Sequence, residues 1–178
     1  MAELYDEGDY EEEDTQNGRY LTFTLEENVY GVPIQFVTEI IGIQPITKVP
    51  ETPDYIKGII NLRGKIVPLI DVRLKFGRVG IPYDERTCIV VVDVNAVSVG
   101  LIVDRVDDVL TIEEDKIAPP PENRLGFENR YIEGIGQVGD SVQLLLNVEK
   151  LLKHDEMEMV ERISETDSAA LDQRAVDG

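Results

Sequence analysis

The sequence has no tryptophan, one cysteine (Cys88) and one histidine (His154). Each scarcity removes a class of function. A single cysteine cannot close an internal disulfide. Cys88 lies in "TCIVVVDV", so it reads as a half-buried strand residue in a reducing compartment. His154 stands in a charged stretch without a second histidine, which leaves a metal centre or a Cys–His nucleophile without its usual partners. The acids show no calcium-loop spacing. No apolar run approaches the ~18–20 residues of a membrane-spanning helix, and the N-terminus lacks a basic-then-apolar signal pattern. The expected location is the cytoplasm. Positive charge is scarce too: 17 Lys and Arg stand against 36 Asp and Glu, a net charge of −19. Nucleic acid would require clustered bases, so it is a poor partner.

The acidity is concentrated at the two ends. Residues 1–14 carry eight acids and no base, and residues 154–178 carry eight acids and two arginines. Residues 15–153 hold 20 acids against 15 bases. "YDEGDYEEED" has little to bury and much self-repulsion, so residues 1–18 read as a disordered acidic tail. Residues 154–178 read as an acidic C-terminal helix or tail, with Met157, Val160 and Ile163 in a rough stripe.

Between the ends the pattern is mostly strand. "RYLTFTL" and "ENVYGV" suggest a hairpin, "FVTEIIGI" a further strand, and "IKGIINLRGKIVPLI" two strands around a tight turn at "RG". In "DVRLKFG", Asp71 is placed to cap a short helix and Gly77 to end it. "TCIVVVDV" and "AVSVGLIVD" form another hairpin, followed by "DDVLTI", the proline-rich "APPPENR", the strand pair "YIEGIGQVGDSVQLLLN" and a helix opening at "NVEKLLKH".

The second half repeats the first. At an offset of 76, "YIKGIINLRGKIVPLIDV" lies on "YIEGIGQVGDSVQLLLNV", matching Tyr55 with Tyr131, Gly58 with Gly134 and Asp71 with Asn147. At an offset of 69, Gly31 lies on Gly100, Val37 on Val106, Glu39 on Asp108 and Ile40 on Val109. A repeat of this period marks a duplicated unit, here of about five short strands. Such units bury themselves best as small closed barrels. The expected fold is mainly β: two five-stranded barrels side by side, related by an approximate two-fold, with a short helix after each. The expected boundaries are about 19–80 and about 86–147 for the barrels and 147–153 for the final helix.

The repeat also separates scaffold from function. "GIGQVG" at 134–139 matches a dinucleotide-binding fingerprint, but its glycines fall on a repeated strand pair, and no helix starts inside it. Features present in both copies belong to the barrel. Arg63 is not among them, because its counterpart is Gly139. It is either a solvated turn residue or a guanidinium set beside apolar surface to recognise a partner. The matched pairs Val37/Val106 and Ile40/Val109 serve either the core or a seam that receives an apolar helix. No pattern of a P-loop, nucleophile elbow or zincin is present, which points away from catalysis.

From about Arg19 to Leu152 the chain resembles the CheW family of chemotaxis coupling proteins. The resemblance rests on "TPDYIKGIINLRGKIVPLIDVRLKF", with "VYGVPIQFVTEI", "VGLIVDRVDDVL", "YIEGIG" and "LLNVEKLL". It implies two SH3-like barrels and a non-catalytic, cofactor-free scaffold that links chemoreceptor cytoplasmic tips to the histidine kinase CheA in membrane-associated arrays. It further implies a receptor-binding set of Val37, Cys88, Val106 and Val109, with Glu39 and Arg63 as its important polar pair. Ile43 and Ile46 are the expected kinase-binding positions. Ala118 and Asn123 stand where relatives often carry a basic and an aromatic residue. A CheA fragment or a receiver-domain fusion would need domains that are not in this sequence. A general SH3-like reader of proline-rich peptides would need an exposed aromatic groove, and the chain has only four Phe.

Overall fold

The computed structural model describes residues 17–120 and 130–152. Residues 1–16 of the expected N-terminal tail, the whole expected C-terminal tail with its Met157 stripe, Lys153 and Asn123 lie outside the described residues; Gly18, expected in the tail, accepts at its carbonyl from the Ile112 amide at 2.8 Å. The elements are β1 (Arg19–Leu25), β2 (Asn28–Pro33), β3 (Val37–Gly42), β4 (Ile56–Leu62), β5 (Lys65–Asp71), α1 (Val72–Lys75), β6 (Cys88–Val94), β7 (Val97–Val103), β8 (Arg105–Thr111), β9 (Ile117–Ala118), β10 (Ile132–Val138), β11 (Ser141–Leu146) and α2 (Val148–Leu151).

Two sheets form, ordered β3-β6-β7-β5-β4 and β8-β1-β2-β11-β10-β9. The repeat offsets carry β1, β2 and β3 onto β6, β7 and β8, and β4 and β5 onto β10 and β11. Applied to the first order, they generate the second. The strands do not, however, divide at the expected boundaries of 19–80 and 86–147. The β6–β7 hairpin joins β3, β4 and β5, while β1–β2 is enclosed by β8 and β11. The duplicated units have exchanged their first hairpins. One barrel is continuous over 37–103, and the other is assembled from both ends of the described chain.

The exchange is made at two parallel joints with the same register, Leu69 opposite Gly100 and Leu145 opposite Gly31. A Cβ on Gly100 or Gly31 would lie 2.5 or 2.9 Å from the Cδ2 of the facing leucine. The repeated glycine therefore lets that leucine cross the joint. Closure is also duplicated. Thr47 and Ile59 exchange two backbone hydrogen bonds of 2.9 and 2.8 Å, and Ala118 of β9 faces Ile135 of β10 in the other sheet.

Side-chain alternation sets the core. On one face of β6 and β7, Val90, Val92, Val99 and Leu101 pack in a seam with Leu21, Phe23, Tyr30 and Leu146 of the other sheet. On the opposite face, Ile89, Val91 and Ile102 join Ile60, Val67 and Leu69 in a second cluster, inside the 37–103 barrel. Both faces are buried, which explains why "CIVVV" is continuously apolar rather than alternating. In each repeat the second strand of the later hairpin, β5 or β11, runs into a one-turn helix with the expected cap. Asp71 Oδ1 accepts from the Leu74 amide at 3.2 Å, and Asn147 Oδ1 from the Lys150 amide at 3.0 Å.

One polar cluster has no counterpart in the repeat. Buried Arg73 of α1 donates to Asp104 Oδ1 at 2.6 Å and to Glu26 Oε1 at 2.9 Å. Arg78 reaches Glu26 Oε2 at 2.8 Å and the Tyr30 hydroxyl at 2.8 Å. The cluster ties α1 to the turn of the β1–β2 hairpin and to the β7–β8 junction. The matched positions hold Glu149 for Arg73 and Gln35 for Asp104. Burial opposes the charge on Asp104, but the Arg73 fork, the Glu26 amide and the nearby Arg78 hold its pKa below the usual carboxylate value. A lowered folded-state pKa contributes stability that is present above the unfolded value near 3.8 and lost as pH falls through the folded value. Melting temperature should therefore drop on acidification below about pH 4, and Asp104→Asn should shrink that drop. An unchanged acid limb in Asp104→Asn would show that other carboxylates cause it.

Candidate functional site

Arg63 and Gly64 form the two-residue loop between β4 and β5, with φ of 51° and 85°. Positive φ at both positions is the type I′ hairpin geometry, whose twist matches that of the flanking strands. The Gly64 amide donates to Asn61 Oδ1 at 2.8 Å and fastens the turn. The loop projects the Arg63 side chain, 75% exposed, back across the barrel to the carboxylate of Glu39 on β3, where it donates from Nη2 to Oε2. The family resemblance named these two residues together as a polar pair, and the structure gives the contact that joins them, from the β4–β5 turn to β3, 24 positions apart.

On β3, Val37 packs half-buried against the edge of the seam, opposite Val92 of β6. Cys88 opens β6 opposite Gly42 and is half-buried, with its thiol 3.3 Å from the Arg86 carbonyl. Val37, Glu39, Arg63 and Cys88 therefore share one barrel. Val106 and Val109 lie on β8 of the other, opposite Phe23 and Leu21. β3 and β8 stand in separate sheets, in equivalent places beside β6 and β1. Val106 is half-buried against the seam like its counterpart Val37. The next matched pair is more exposed, Ile40 at 43% and Val109 at 40%. Ile40 belongs beside Val109 in any account of this surface, and its match across the repeat was the signal for it.

Ile43 and Ile46 sit on the chain between β3 and Thr47, half-buried against the interior cluster of the 37–103 barrel. That packing already accounts for their apolar character. Ala118 is exposed on β9. Sequence reasoning missed the Arg73 cluster, because none of its contacts is local or repeated. It also missed the exposed Val79 and Ile81 in the segment after α1. Among the described residues, no group of three or more His, Cys, Asp or Glu is placed to hold a metal ion, and no helix is long and apolar enough to cross a membrane.

The profile of the CheW-like domain matches residues 19–156, which include every strand and both helices. The chain belongs to the CheW-like domain family. It is 40% identical over 153 residues to the chemotaxis protein CheW of Klebsiella aerogenes, covering 86% of this chain and 92% of that one. It is 35% identical over 148 residues to the chemotaxis protein CheW of Helicobacter pylori, covering 83% and 89%. The crystal structure of the scaffolding protein TtCheW from Thermoanaerobacter tengcongensis superposes with a TM-score of 0.72 at 36% identity, covering 78% of this chain and 94% of that one. The two sheets are thus the paired SH3-like barrels of CheW proteins, and the chain is a chemotaxis scaffold rather than an enzyme.

Proposed function

We propose that this CheW-like chain couples the helical cytoplasmic tips of chemoreceptors to the histidine kinase CheA, and that the Arg63–Glu39 pair with its apolar surroundings is the receptor-binding surface. The observation that carries this reading is the position of Arg63. A long cation occupies a left-handed turn position that the duplicated barrel fills with Gly139, and it reaches over β3 to Glu39. Val37, Ile40 and Cys88 supply apolar surface on β3 and β6, and Val106 and Val109 supply the matched surface on β8. An amphipathic helix could lay an apolar stripe along such positions while Arg63 and Glu39 fix its register. Ile43 and Ile46 belong to the proposed kinase-facing side. Recruitment to a membrane-associated array would follow from receptor binding and needs no membrane-inserting segment in this chain.

The test is a binding titration with a receptor-tip helical hairpin and a separate one with CheA. Val37→Glu should weaken receptor binding by at least about tenfold, since it places a charge in the apolar contact, while CheA binding and the β-rich circular dichroism spectrum persist. Normal receptor binding by a folded Val37→Glu protein would remove Val37 from the surface. Loss of the folded spectrum would assign it to the core instead.

A further inference from the structure

The turn that carries Arg63 is fastened on both shoulders. On one side the Gly64 amide is bonded to Asn61 Oδ1 at 2.8 Å. On the other, Lys65 opens β5 and donates from Nζ to Ser98 Oγ at 2.6 Å. The buried Ser98 hydroxyl donates in turn to Asp93 Oδ1. Lys65 lies two residues from Val67 and Asp93 two residues from Val91, so both extend the interior faces of their strands to the mouth of the 37–103 barrel. Glu39 stands opposite Val91 and shares that face. Two cations of the β4–β5 hairpin therefore meet two acids on the adjacent strands β3 and β6. The contacts sort them: Arg63 goes to Glu39, and Lys65 goes through Ser98 to Asp93.

The repeat does without this arrangement. Its offsets place Gln137 for Asn61, Ser141 for Lys65, Thr24 for Asp93 and Val29 for Ser98. The second barrel lacks the arginine and also the chain of bonds beside it. Its strands pair in the same register at the parallel joint, so the barrel does not require that chain. The bond from Lys65 to Ser98 crosses the β5–β7 joint, and a hairpin of the second unit thereby holds a turn of the first.

We propose that the Lys65–Ser98–Asp93 chain positions Arg63 for partner binding, by keeping Lys65 on Asp93 and so reserving Glu39 for Arg63. This rests on the reading of Arg63 as a receptor contact. A long side chain that is 75% exposed on a two-residue loop loses rotamer freedom when a partner immobilises it, and that loss weakens binding. Arg63 seated beforehand on Glu39 has part of that ordering done. Without the Ser98 hydroxyl, Lys65 is released to compete for Glu39, and Arg63 is loosened. Lys65, Ser98 and Asp93 are thus positioning residues, which need not touch the receptor.

Ser98→Val and Lys65→Ser install residues that the second barrel carries at the matched positions, so both should keep the β-rich circular dichroism spectrum. In the full-length chain without receptor, the nitrogen-relaxation order parameter of Arg63 Nε should fall below about 0.6 in either variant. Ser98→Thr, which keeps the hydroxyl, should hold the parental value. Binding of a receptor-tip helical hairpin should weaken about fivefold in Ser98→Val and recover in Ser98→Thr. In an Arg63→Gly background, Ser98→Val should cost no further binding. Unchanged Arg63 order in both folded variants, or an equal loss of binding in the two backgrounds, would overturn the positioning role. Parental binding by Arg63→Gly alone would overturn the receptor reading instead, a failure that the order parameter of the receptor-free chain does not share.

Discussion

Gly58→Ala is expected to lower the free energy of unfolding by at least about 3 kcal/mol, and its repeat counterpart Gly134→Ala by about 1 kcal/mol. Both glycines follow a bulge. β4 passes from Ile56 opposite Ile70 to Gly58 opposite Leu69, and β10 from Ile132 opposite Leu146 to Gly134 opposite Leu145, leaving Lys57 and Glu133 as the extra residues. The repeated "YI-x-G" is the signature of that bulge. The two surroundings differ. Gly58 has φ of 142°, and an added Cβ would fall 2.1 Å from the Thr47 carbonyl oxygen, which is held by its bond to the Ile59 amide. Neither the backbone angle nor the neighbour can yield without opening the contact that closes the barrel. At Gly134 the nearest atom is a side-chain methyl, Ile117 Cγ2 at 2.8 Å, which can rotate aside. Urea titrations of the two variants would measure the difference. Equal losses would show that the bulge itself, and not the closing contact, sets the cost.

The parts of this fold that were legible in the sequence are those that are local or written twice. The caps at Asp71 and Asn147, the bulge glycines and the "RG" turn each follow from a few adjacent residues whose backbone needs are known. Their recurrence at fixed offsets removed the ambiguity of a single match, and the same recurrence dismissed "GIGQVG". The hairpin exchange was not legible. Its joints pair β2 with β11 and β5 with β7 in parallel, between strands far apart in sequence, and no turn residue marks them. Two units with equivalent hairpins satisfy the same hydrophobic pattern whichever barrel receives each hairpin. Only Gly31 and Gly100 hinted at a close crossing. The Arg73–Asp104–Glu26 cluster was hidden for the opposite reason: it spans 31 and 47 residues and occurs once. At the candidate site, the sequence and its family resemblance supplied the residue names. The structure supplied the strained turn that aims Arg63 at Glu39.

That turn yields the sharpest expectation for the site. Arg63→Gly should leave the unfolding free energy within about 1 kcal/mol of the parent, because three small effects oppose one another. A non-glycine residue in the left-handed region costs about 1 kcal/mol. Glycine costs about 0.5–1 kcal/mol in unfolded-chain entropy, and an ion pair with a partner 75% exposed stabilises by no more than about 1 kcal/mol. Gly139 stands at the matched position with φ of 59°, so glycine takes the left-handed angle there, although Asp140 after it lacks the positive φ of Gly64. Receptor-tip binding should nevertheless fall by at least about tenfold if the guanidinium touches the partner. Exchanging the charges, with Glu39→Arg and Arg63→Glu in one chain, separates contact from positioning. The exchanged pair can still close over β3, so a purely positioning role predicts restored binding. A guanidinium that recognises the receptor predicts no restoration, because its five donors then project from the strand instead of the turn. Binding at parental strength in Arg63→Gly would end the case for Arg63 as a partner contact.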